Sequence, residues 1–205
     1  MDDSEVAGIK RKDDKQDDQQ LSVIGQELHA TRRKKQLSLE QLAERSGVSR
    51  SMISKIERRE AVPSTTVLAK LAEALGLTFS QLMSQPVEQE VVVIKAARQP
   101  VLRDETSGFL RRCISPVLPG RGIDWVLNTL PPRGTTGEFG VHRRGVEEYI
   151  YVLNGRLKAV IGAEVVTLEA GDSLYFQADA NHAFTNAGAT ECNYFLVIDS
   201  SKLRS

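Results

Sequence analysis

The chain has 205 residues, 40% of them hydrophobic and 26% charged, which leaves room for one large domain or two small ones and excludes a disordered or fibrous polymer. Its opening, MDDSEVAGIKRKDDKQDDQQ, lacks the apolar core of a secretory signal, and no stretch approaches the ~20 apolar residues of a membrane span, so a cytoplasmic protein without membrane contacts is expected. The formal charge of zero conceals a division. Residues 1–20 carry four basic and seven acidic side chains, residues 21–84 ten and six, and the remainder thirteen and fourteen, so cationic charge gathers where a nucleic-acid partner would need it.

In chain order, residues 1–20 are almost devoid of large apolar side chains and read as a disordered tail. From Leu21 to Leu82 apolar residues recur at helical spacing, as in Leu68, Leu71, Ala72 and Leu75, and residues 21–84 are assigned to an all-helical domain. Ser38 with Gln41 forms a capping-box pattern before Leu42 and Ala43, Gly47 suits a left-handed stop, and Ser49 caps the next helix. Pro63 and Ser64 open a fourth helix that Gly76 closes. The turn between the second and third helices is short and contains glycine, the local architecture of a helix-turn-helix.

Residues 85–100 are taken as a linker, in which the period changes to that of strands from Val91, Val92, Val93 and Ile94 onward. Over residues 101–205 short apolar runs alternate with turn signals at Pro119-Gly120, Pro131-Pro132, Asn154-Gly155 and Ala170-Gly171, which predicts a sandwich or barrel of many short strands. Two cysteines, Cys113 and Cys192, do not make a metal-knuckle pattern and are read as packing residues, as are Trp125, Tyr149, Tyr151, Phe176 and Phe184.

The stretch SLEQLAERSGVSRSMISKIERRE from Ser38 to Glu60, followed by PSTTVLAKLAEALGL, resembles the Cro/repressor-like (XRE) helix-turn-helix family over about 60 residues. The resemblance rests on Leu42-Ala43, Gly47-Val48-Ser49, Ile53-Ser54, Glu57, Pro63 and the Leu68 to Leu75 helix. It implies a third helix lying in the major groove of an operator, with Val48, Ile53 and Ile56 turned to the core. Base readout then falls to Arg50, Ser51 and Lys55, with Ser54 beside them. Arg32, Arg33, Lys34, Lys35, Arg58 and Arg59 are candidates for phosphate contacts, against the alternative that Arg32 to Lys35 are a solvated face. Leu39 stands where a glutamine often starts the second helix of phage repressors.

The stretches GEFGVHRRGVEEYIYVLNG, from Gly137 to Gly155, and GDSLYFQADANHAFTN, from Gly171 to Asn186, resemble the two cupin motifs. His142, Glu148 and His182 fall at metal-ligand positions of that family, while Arg144 occupies the position of its second histidine. Three readings stay open: a divalent metal (iron, zinc or manganese) on His142, Glu148 and His182; an organic ligand with a carboxylate, anchored by Arg144 pointing into the barrel; and a filled, structural barrel.

The expected fold is α + β and multidomain, an N-terminal all-α, five-helix repressor-like domain followed by a C-terminal all-β cupin (double-stranded β-helix, jelly-roll) barrel. The implied function is that of a homodimeric, non-enzymatic transcriptional regulator, repressor or activator, whose affinity for a double-stranded DNA operator is modulated by a small-molecule effector in the barrel. The alternatives are a DNA-tethered, metal-dependent cupin enzyme and a ligand-blind repressor whose barrel only dimerises.

Overall fold

A computed structural model describes residues 22–84, 91–118 and 121–204. The expected disordered tail, the first residues of the linker and the Pro119-Gly120 turn lie outside the described residues.

Five helices come first: α1 over residues 22–34, α2 Leu39–Ser46, α3 Arg50–Glu57, α4 Thr65–Ala74 and α5 Phe79–Met83. Their boundaries follow local chemistry. Ser38 and Gln41 form the reciprocal capping box at the start of α2, Gly47 ends it with φ at 66°, and the Ser49 hydroxyl accepts from Met52 N to start α3. Ser64 caps α4, and Thr78 with Gln81 builds a second capping box for α5. The apolar stripes of these helices, Ile24, Leu28, Leu42, Ile53, Ile56, Leu68 and Leu71, are fully buried, each burial supplying roughly 1.5–3 kcal/mol before entropy is counted. Gly25 marks the closest approach: a Cβ there would come 2.8 Å from the Ile56 carbonyl, so α1 rests directly on the end of α3.

Ten strands follow: β1 Val101–Arg103, β2 Leu110–Cys113, β3 Ile123–Leu130, β4 Thr135–Phe139, β5 Glu147–Asn154, β6 Arg156–Ile161, β7 Glu164–Glu169, β8 Ser173–Gln177, β9 His182–Asn186 and β10 Cys192–Asp199. They form an antiparallel six-stranded sheet, ordered β1-β2-β3-β10-β5-β8, facing a four-stranded sheet ordered β4-β9-β6-β7. The burial alternates along β3, β5 and β9, as it must when one face of each sheet lines a common interior. Gly155 turns β5 into β6 with φ at 80°, and a Cβ there would meet the Cys192 backbone at 2.7 Å. Asn186 staples the loops at one end of the barrel, donating to the carbonyls of Leu130, Pro131 and Thr190 and accepting from Gly188 N.

Two expectations fail. Val91 to Ile94 form no strand, and Val91 and Val93 are strongly exposed; four β-branched residues in a row make a strand only where a neighbouring strand can pair with them. Trp125, Tyr149 and Tyr151 are exposed on the outer face of the large sheet, whereas Phe176 and Phe184 are core as expected. Both cysteines are buried. Burial, with Asp124 nearby, pushes the Cys113 thiol up to about 12, and burial lifts Cys192 to about 11, so neither presents a reactive thiolate.

The helical and β domains share one continuous apolar cluster. The Thr66 hydroxyl on α4 donates to the Thr136 carbonyl on β4, the Ser80 amide on α5 donates to Asp124 on β3, and Phe79 lies 5.0 Å from the Arg111 guanidinium. These contacts set α4 and α5 across the open end of the barrel.

Candidate functional site

Two features carry chemistry, and the first is the face of α3. Val48, Ile53 and Ile56 are buried as expected, which leaves Arg50, Ser51, Lys55, Arg58 and Arg59 exposed and Ser54 half-buried. Arg50 pairs with Glu40 at 2.7 Å, both side chains largely in water, and Arg58 grips Glu60 through both nitrogens of its fork while also reaching the Ser54 hydroxyl. Arg33, Lys34 and Lys35 are exposed at the end of α1.

Arg32 departs from the expected phosphate role. It is 6% exposed and spends its fork inside the domain, with Nε to Glu57 Oε1 at 2.7 Å, Nη2 to Glu57 Oε2 at 2.8 Å and Nη1 to the Leu37 carbonyl at 2.9 Å. Three of its five N–H groups are spent on these acceptors, and burial keeps the remainder from a phosphate at the surface. Its neighbour Arg33, one residue further around the helix, points to solvent.

Arg59 adopts φ of 63°. Its amide donates to Ile56 and that of Glu60 to Lys55, the paired bonds of a Schellman motif whose left-handed position glycine usually fills. An arginine there is strained, and it stands exposed at the end of α3.

The second feature lies at the mouth of the barrel. β5 holds Glu148, 1% exposed, and β9 holds His182, 2% exposed; the loop between β4 and β5 supplies His142. His142 Nε2 is 3.2 Å and His182 Nε2 3.5 Å from the same Glu148 oxygen, Oε1. The other nitrogen of each ring has an outer acceptor. His142 Nδ1 lies 3.3 Å from Glu73 Oε2 on α4, and His182 Nδ1 is 3.0 Å from the Ala180 carbonyl. Glu148 Oε2 is buried and has no hydrogen-bond partner among the described residues.

Burial opposes charge on both members of the central pair, but hydrogen bonds outweigh it. Contacts with Glu148 and Glu73 lift His142 to about 9, and contacts with His142 and His182 hold Glu148 down to about 2.

The three residues fit a divalent cation. Their donor atoms lie within 4.8 Å of one another, two imidazoles and one carboxylate make a facial set suited to iron and similar ions, and each imidazole is steadied from behind as metal-binding histidines usually are.

Arg144 takes no part. β4 ends at Phe139 and β5 begins at Glu147, so Arg144 sits in a connecting loop where strand alternation has no force, and its side chain is exposed. Three groups that sequence reasoning missed are drawn in instead: Glu73, Arg111 and Asp124 all line, with His142, Glu148 and His182, a cavity of about 120 Å³ between the two domains. Arg111 carried a local signal, since alternation with the inward Phe109 and Cys113 puts it on the same face of β2. Glu73 carried none, because its role arises only when α4 meets the barrel.

Comparison with known proteins agrees with both halves. A helix-turn-helix family model matches residues 28–82 and a cupin domain model residues 126–198. The chain is 28% identical over 171 residues to the HTH-type transcriptional regulator SutR of Escherichia coli (strain K12), covering 83% of this chain and 91% of that protein. To the HTH-type transcriptional regulator PuuR of the same organism it is 29% identical over 168 residues, covering 82% and 90%. A solved HTH_3 family transcriptional regulator from Vibrio cholerae shares the fold, with a TM-score of 0.73 and 23% identity across 89% of this chain and 98% of that one. No helix among the described residues is long and apolar enough to cross a membrane. The chain is a transcriptional regulator with an N-terminal DNA-binding domain of the helix-turn-helix (XRE) family and a C-terminal cupin domain.

Proposed function

We propose that this regulator binds a two-fold operator as a homodimer and that a small effector in the cavity between α4, α5 and the barrel sets its operator affinity. The observation that carries the reading is the contact of Glu73 with His142: the lining of the candidate effector site includes a carboxylate of the DNA-binding domain itself. A ligand or metal that reorganises His142 therefore acts on α4 directly, which is the differential contact that coupling between two sites requires.

On the DNA side, Arg50, Ser51 and Lys55 read base edges from the exposed face of α3, with Ser54 beside them, while Arg33, Lys34, Lys35, Arg58 and Arg59 meet phosphates. One helix of this kind covers only a few base pairs, so two copies on half-sites about one DNA turn apart supply useful affinity. A row of Trp125, Val197, Tyr149 and Tyr175, cross-strand neighbours on the outer face of the large sheet, supports a second copy of the chain as its cover.

The test begins with operator selection from random duplexes, followed by fluorescence anisotropy of the full-length protein with and without zinc, manganese, iron(II) and a panel of small organic acids and amines. A change in operator affinity of about fivefold or more, abolished in His182→Ala, is expected. Indifference of both operator affinity and melting temperature to every compound would instead favour a ligand-blind repressor. Turnover of a bound compound in the metal-loaded protein would favour a DNA-tethered enzyme using the same three ligands.

A further inference from the structure

We infer that Arg111 anchors the oxyanion of a small organic acid in the cavity between the two domains. This assignment rests on the effector reading above and gives the effector a chemical class.

Arg111 sits on β2 and is 2% exposed, yet it lines the cavity. Its guanidinium gives Nε to Asn128 Oδ1 at 3.0 Å, and among the described residues no carboxylate oxygen lies within 4.0 Å of its nitrogens. The acidic groups that share the cavity are otherwise engaged. Asp124 accepts the Ser80 amide with both oxygens, and Glu148 is shared by His142 and His182. Phe79, Phe109 and Phe139 surround the guanidinium at 5.0, 5.7 and 5.3 Å from their ring centroids. Aromatic faces stabilise the cation but accept none of its in-plane N–H groups.

A guanidinium keeps its charge in any protein interior; Asp124 shares its field without forming a direct ion pair, so a ligand oxyanion in contact with the fork supplies the partner that the buried cation lacks. Asn128, the cross-strand partner of Arg111, holds the guanidinium in place from behind the cavity wall, so the in-plane N–H groups other than Nε are left for a ligand. A carboxylate is acceptor-only and matches the arginine fork in two parallel bonds. Ala72, Leu196 and Ile198 add apolar wall to the same cavity, and a volume of about 120 Å³ suits a molecule of few heavy atoms.

Butyrate, butyramide, butylamine and inorganic sulfate, titrated into the full-length protein, separate charge from shape. Butyrate raises the melting temperature saturably, the amide and the amine do not, and Arg111→Met loses about ten- to hundredfold in butyrate affinity while its circular dichroism and zinc titration stay unchanged. Should that variant fail to fold, the Nε resonance of Arg111 in the wild-type protein provides the readout, and it shifts with butyrate. Equal butyrate affinity in the variant, an unmoved resonance, or preference for butylamine overturns the assignment, and sulfate binding tighter than butyrate overturns its organic part. Saturable butyrate binding through Arg111 with unchanged operator affinity leaves the anchor standing and removes the effector reading instead.

Discussion

Glu73, on a helix of the DNA-binding domain, holds its carboxylate 3.3 Å from Nδ1 of His142 in the cupin barrel, while the opposite nitrogen of the same imidazole reaches Glu148. One ring thereby joins the buried polar centre of the barrel to α4, and the guanidinium of the adjacent Arg143 donates to the backbone carbonyl of the same Glu73 across the domain boundary.

Replacing Glu73 by Gln removes the anionic acceptor behind the imidazole. Loss of such an outer-sphere partner typically lowers metal affinity by about tenfold or more. Zinc affinity, measured by competition with a chromophoric chelator, is expected to fall by about that factor, and operator affinity measured by anisotropy should cease to respond to the metal. A full response in Glu73→Gln would mean that coupling runs through α5 and Asp124.

The folded-state pKa of His142 is raised, so the stability it supplies is complete below its unfolded value near 6.5 and is lost as pH rises through about 9. The wild-type protein should thus exceed His142→Gln in unfolding free energy by roughly 1–3 kcal/mol at pH 6, and the gap should close by pH 10. Urea denaturation of both proteins at the two pH values measures it, and a gap independent of pH contradicts the assignment.

Arg32 is structural. Arg32→Ala leaves the buried Glu57 carboxylate with only the exposed His29 ring as a partner and should destabilise the helical domain by roughly 3 kcal/mol, whereas the double replacement Arg32→Met with Glu57→Leu should recover much of that loss. Chemical denaturation of the three proteins decides. At temperatures where Arg32→Ala remains folded, the salt dependence of its DNA binding should match that of the wild-type protein.

Arg59 makes the opposite prediction. Arg59→Gly relieves the left-handed backbone and should raise stability by up to about 1 kcal/mol, yet it should cost the phosphate contact proposed for Arg59. The slope of log affinity against log salt should decrease by about one unit, with sequence preference unaltered. An unchanged slope would assign Arg59 to the solvated surface.

The aromatic row on the large sheet predicts its own disruption. Tyr149→Lys puts a charge in the centre of the row, between Trp125 and Tyr175, and should convert a dimer at micromolar concentration to a monomer in sedimentation while leaving the melting transition cooperative. A protein that is monomeric before the substitution would refute the dimer outright.

The local signals read from the chain were those whose physics is local. Ser38, Gln41, Gly47, Ser49 and Ser64 mark helix ends because a cap is made within four residues of the end it closes, and all five do so here. The β half was legible from its short apolar runs between turn signals, and His142, Glu148 and His182 from the resemblance to the cupin motifs; the structure brings those three side chains together. Where the chain misled, a long-range partner was missing or a loop had been treated as a strand. Val91 to Ile94 have strand-forming side chains but nothing to pair with, Arg144 lies beyond the last residue of β4, and Arg32 could be distinguished from Arg33 only by the presence of Glu57 25 residues later. Glu73, Arg111 and Asp124 belong to the site because α4 and α5 close the mouth of the barrel. Sequence by itself determined the helical half and the β half, which rest on spacings of a few residues, and through its resemblance to the cupin motifs singled out His142, Glu148 and His182; only the tertiary structure decided that their cavity is shared between the domains, because burial and charge compensation depend on atoms that the chain brings together from far apart.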